Sequence, residues 1–76
     1  MDYKKLGTRI REERQNMNLT QAQLAEAVSI SDTFMGAIER GERGLSVETL
    51  VNIANILHVT VDYLLKDSTS NKDTDI

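Results

Sequence analysis

The chain has no cysteine, so neither a disulfide nor a thiolate metal site can brace it; its stability has to come from packing or from a partner subunit. It also has no apolar run near the ~20 residues that a membrane-spanning helix needs, and its N-terminus lacks the continuous apolar segment of a secretory signal. The expectation is a cytoplasmic protein with no membrane role. A basic excess is missing as well, with 9 Lys and Arg against 12 Asp and Glu, a formal net charge of −3. A field of that sign does not draw in nucleic acid, so binding to a polyanion would depend on a local patch and on symmetry. The deficit is uneven: Asp67, Asp73 and Asp75 against Lys72 put −2 at the C-terminal end, while residues 1–66, with eight basic and nine acidic side chains, sit at −1. Groups that carry chemistry are sparse. His58 is the single histidine and has no ligand-type partners in its neighbourhood, and the sequence holds no nucleophile–base pair, glycine-rich phosphate loop or one-faced carboxylate cluster. We expect no enzyme, no metal and no cofactor.

What the sequence does contain is helical pattern. With 76 residues it is too short for two cores and marginal for one. Thr20-Gln21-Ala22-Gln23 has the form of a capping box, in which the Thr20 hydroxyl accepts from the Gln23 amide and the Gln23 side chain reaches back. A helix from about Gln21 to Val28 follows, with Leu24, Ala25 and Val28 as its apolar stripe. Ser29-Ile30-Ser31 breaks that pattern, and Ser31 can cap the next helix, from about Asp32 to Arg40, whose buried face is Met35 and Ile38. Two helices joined so tightly cross steeply, and at their closest approach only a small side chain such as Ala25 fits. Upstream, Tyr3, Leu6, Ile10 and Met17, with Arg14 interposed, mark one face of a helix from about Tyr3 to Met17. Downstream, Gly41 can close the helix that ends near Arg40, and Glu42-Arg43-Gly44-Leu45 is an exposed connector. Ser46 caps a helix with Leu50, Ile53, Ala54 and Leu57 on its core face, and Thr60 caps a last short one carrying Val61, Leu64 and Leu65. Asp67 to Ile76 is a polar, acidic segment without core-forming pattern, expected to be flexible.

Leu19-Thr20-Gln21, Leu24-Ala25, Ile30-Ser31, Ile38-Glu39-Arg40-Gly41 and Glu48-Thr49-Leu50, taken in register, resemble the phage-repressor (Cro/cI, XRE-type) family of helix-turn-helix transcriptional regulators over roughly residues 3 to 66. The resemblance implies an all-α, compact five-helix bundle: a DNA-binding domain over residues 1–66, with the motif at about 20–40, and a tail over 67–76. It further implies a sequence-specific double-stranded-DNA-binding regulator, a repressor acting as a homodimer with its third helix in the major groove. Two alternatives stay open, a helix-turn-helix antitoxin and a protein-interaction module, each with a protein as its main partner.

On that basis Asp32, Thr33, Phe34 and Ala37 are the base-reading candidates. Thr33 can donate to a base or pack its methyl on thymine; Phe34 is either the rim of the core or an apolar contact to a thymine methyl. Asp32 could accept from cytosine N4 but would repel phosphate. Gly36 lowers helix propensity by about 1 kcal/mol relative to alanine, while permitting close backbone approach to a groove. Thr20, Gln21, Arg14, Arg40 and Arg43 are the phosphate-contacting candidates, and Lys4, Lys5, Arg9 and Arg11 read as a solvated helix face. The resemblance also pairs Arg14 with Glu39 in a largely buried ion pair, and places Val51, Ile56, Tyr63 and Leu65, judged to have few intramolecular partners, at a dimer interface. Ser29 stands where the family often has a turn glycine; a left-handed serine there would cost roughly 1–2 kcal/mol.

Overall fold

The structure is a computed structural model that describes residues 1–68. Among these residues it has five helices and no strand: α1 (Tyr3–Asn16), α2 (Gln21–Ala27), α3 (Asp32–Glu39), α4 (Val47–Leu57) and α5 (Val61–Leu65). Every helix begins the same way. Asp2, Thr20, Ser31, Ser46 and Thr60 are extended N-cap residues whose side-chain oxygens each accept an amide from the first turn, which satisfies one of the orphan donors there. At Thr20 the box is complete, with Gln23 Oε1 accepting from the Thr20 amide at 2.8 Å.

The helix ends are equally regular, and glycine is the exception there. Asn18, Ser29, Gly41 and His58 follow α1 to α4 with left-handed φ between 57° and 75°. In all four turns the left-handed residue donates back three residues and the next donates back five, as Leu19 does to Arg14 at 3.1 Å and Ile30 to Ala25 at 3.0 Å. This is the Schellman arrangement, and the residue after three of the turns (Leu19, Ile30 and Val59) is an apolar one packed against the core. The turns thus stop α1, α2 and α3 one residue before the ends expected at Met17, Val28 and Arg40, which act as C-caps.

Leu6, Ile10, Leu24, Met35, Ile38, Ile53 and Leu64 are the largest fully buried side chains, so every helix contributes to one core. At about 1.5–3 kcal/mol each, their burial is the main favourable term. Tyr3 and Met17, expected on the core face of the first helix, are instead 41% and 37% exposed, because they sit at its two ends, Tyr3 as the first residue of α1 and Met17 as its C-cap. Ala25 is fully buried in the α2–α3 crossing. A second close approach involves Gly7: a Cβ there would collide with the Ile38 and Glu39 carbonyls, so α1 and α3 touch backbone to backbone.

The folded unit also runs past the expected boundary at Lys66. Ser68 is buried, its carbonyl accepts the Asp2 amide, and Asp67 lies 3.8 Å from Arg9. Arg9 additionally donates to the Tyr63 and Lys66 carbonyls, capping α5 from α1. The rest of the tail expected to be flexible lies outside the described residues.

Candidate nucleic-acid interface

The outer surface of α3 is organised from behind, by charge. Glu39 is the last residue of the helix and is 5% exposed; its two carboxylate oxygens accept from Arg14 Nε at 2.8 Å and Nη2 at 3.0 Å, a bidentate pair across the α1–α3 contact. Arg14 Nη1 donates to the Leu19 carbonyl at 2.9 Å, and Gln21 Nε2 donates to Glu39 Oε1 at 3.1 Å. The Arg14–Glu39 pair therefore ties together the first helix, the loop after it and both helices of the motif. Each Arg14 nitrogen has a protein acceptor and the residue is only 9% exposed, which leaves two of its five N–H groups for the phosphate contact expected of it. Gln21 is half-buried with its amide turned to Glu39, which leaves its second N–H for any external acceptor. Thr20 is exposed, and its hydroxyl oxygen accepts in the helix cap, which leaves the O–H as a donor.

Asp32 and Thr33 are exposed in the first turn of α3, and Ala37 is half-buried one turn on. Gly36 does not face an open groove. It is buried, and the space a Cβ would take is filled by Arg40 Nη1 at 2.9 Å and Gln21 Oε1 at 3.2 Å. Phe34 is half-buried and packed against the core, and the Arg43 guanidinium lies over its ring at 4.9 Å from the centroid. Arg40 is exposed and paired with Glu42 at 3.0 Å, which offsets part of its charge.

Arg11 is exposed, as a solvated helix face requires, and it also lines a shallow depression with Arg14, Gln21, Glu39 and Arg40. Its spacing from Arg14, three residues along one helix, was the signal available for that placement. The expected dimer residues do not form one unpartnered patch. Ile56 and Leu65 pack partly against the core. Tyr63 turns towards α1, donating its hydroxyl to Glu13 Oε2 at 3.1 Å with Arg9 over its ring. The hydrogen bond to Glu13, and then that carboxylate's charge, raise the Tyr63 pKa above the ordinary tyrosine value. Val51 alone is apolar, exposed and without such a contact, and Val47, one turn away, is 77% exposed.

Residues 10–64 match the helix-turn-helix family. The chain is 38% identical over 73 residues to the HTH-type transcriptional regulator ImmR of Bacillus subtilis, covering 93% of this chain and 58% of that protein. It is 39% identical over 66 residues to the control protein C.SmaI of Serratia marcescens, covering 86% of this chain and 79% of that one. This chain thus spans little more than half of the first relative. Among solved structures, the P22 c2 repressor protein in complex with a synthetic operator superposes with a TM-score of 0.77 at 34% identity, over 80% of this chain and 92% of that one. Five capped helices in this order, the buried tie between α1 and the motif, and a match over most of its length agree: the chain belongs to the helix-turn-helix family of phage-repressor type.

Proposed function

We propose that the chain is a sequence-specific regulator that binds double-stranded DNA, a repressor acting in the cytoplasm as a homodimer with α3 in the major groove. The observation that carries this reading is the exposure of Asp32 and Thr33 on a helix locked from behind by Arg14, Glu39 and Gln21. A base reader has to be held in register before it meets a groove, and this network removes the freedom of α3 to tilt. Thr33 donates to a base or meets a thymine methyl, Asp32 accepts from cytosine N4, and Ala37 offers a methyl. Thr20, Gln21, Arg40 and Arg43 approach phosphates, and Arg11 joins them from the shared depression. The similarity to a repressor solved with its operator supports the same reading.

The test needs a preferred duplex, obtained by selecting bound DNA from a random pool. Arg43→Ala should then weaken binding to selected and random duplex alike and lower the salt slope by about 1, because one fewer counterion is released. Thr33→Ala should cost about 1–3 kcal/mol on the selected duplex and little on random DNA. Equal effects of both substitutions on both duplexes would sink the assigned roles. One observation favours the protein-partner readings, an antitoxin or an interaction module: Glu42 offsets Arg40, and Asp32 adds negative charge to the same surface. Those readings require that no duplex be bound in a salt-dependent way.

A further inference from the structure

We infer that Phe34 is not a base reader but the platform that positions Arg43 for a backbone phosphate, an inference that rests on the DNA-binding reading above. Phe34 is half-buried, part of its surface spent on the core, and the guanidinium of Arg43 covers the ring at 4.9 Å from the centroid. A thymine methyl seeking the exposed part of the ring meets a cation instead. The arrangement suits Arg43. A guanidinium held over a ring through its central carbon commits none of its N–H donors to a carboxylate, and those donors are what pair bidentately with a phosphate.

The platform also removes a cost. Arg43 is exposed on the connector after α3, where a long side chain samples many rotamers, and ordering it on binding is unfavourable. Phe34, by contrast, is held in place. Its amide donates to the Ser31 cap at 3.0 Å, and its helix is tied by Glu39 to α1. The ring thus transmits the position of the reading helix to the connector arginine. Arg40, three residues back, is held differently, by Glu42 at 3.0 Å, and has to give up a carboxylate to take a phosphate. Arg43 has no carboxylate to give up among the described contacts.

The experiment uses the full chain, fluorescence anisotropy with selected and random duplexes over a NaCl series, and Phe34→Leu, Phe34→Tyr, Arg43→Ala and the Phe34→Leu/Arg43→Ala double variant. Phe34→Leu should weaken both duplexes by the same factor, about two- to fivefold, which is the range of an exposed cation–π contact. Phe34→Tyr should keep wild-type affinity, and adding Phe34→Leu to Arg43→Ala should change nothing further. Loss confined to the selected duplex and repeated in the Arg43→Ala background would overturn the inference and return Phe34 to base reading. A second measurement needs neither DNA nor a substitution that could unfold the chain. In the proton spectrum of the free wild-type protein, the Arg43 side-chain resonances should be shifted upfield by the ring current relative to those of Arg11. Unshifted resonances overturn the platform whatever the chain binds. Shifted resonances with no binding to either duplex leave the contact standing and overturn instead the DNA reading and, with it, the phosphate role.

Discussion

At the scale of the residue, backbone strain is concentrated at the turns. Ser29 and His58 hold left-handed φ of 60° and 58°, which a side chain tolerates at a cost of about 1–2 kcal/mol. Glycine would remove that strain while adding some unfolded-state entropy. Ser29→Gly and His58→Gly should each raise stability by up to about 1 kcal/mol, seen as a rise of several degrees in the thermal midpoint. Gly41→Ala should do the opposite, since Gly41 has φ of 75° and a Cβ there would press on Lys4. A lower midpoint for both glycine variants would mean the turns are not strained. The motif turn was legible as a break in apolar periodicity, because serine interrupts the stripe whatever its backbone does. Its left-handed backbone was anticipated only as a condition, since serine does not by itself require it.

At the scale of the element, the contact between α1 and α3 depends on two features that fail in different ways. Gly7 lets the helices meet at the Ile38 and Glu39 carbonyls, so Gly7→Ala should force them apart and cost about 1–3 kcal/mol despite alanine's better helix propensity. A urea midpoint at or above the wild-type value would show that the crossing can widen at no cost. The Arg14–Glu39 pair is the second feature. Arg14→Met leaves a carboxylate 2% accessible without its main partner and should cost about 3–5 kcal/mol, whereas Arg14→Met with Glu39→Leu should recover most of the loss. For a chain this size total stability is about 4–11 kcal/mol, so a loss of that size shows in the single variant as a shortened or missing folded baseline. If the double variant is no more stable than the single, the penalty is lost packing and not a stranded charge.

At the scale of the whole molecule, the question is what the exposed apolar surface is for. Val47 is 77% and Val51 38% exposed on one face of α4, while Tyr63, Ile56 and Leu65 have partners within the chain. The proposed homodimer then draws on Val51 with Val47 more than on the other three. Sedimentation at tens of micromolar should show dimer for the wild type and monomer for Val51→Lys, with the helical circular dichroism unchanged. Monomer in both cases would reduce the proposal to dimerisation on DNA alone.

The helices are legible in the order of residues, because capping side chains, apolar periodicity and turn residues act over three to five neighbours and are written in order along the chain. That order also marks the motif and, through the family resemblance, the Arg14–Glu39 pair. Which polar and aromatic side chains face one another is set only once the chain has folded: Arg43 over Phe34, Glu42 on Arg40, Gln21 on Glu39, and Arg9 on the end of α5. These contacts join residues on different elements or on a connector of free rotamers. Their geometry follows from how the core packs the helices, and no local pattern in the sequence encodes it.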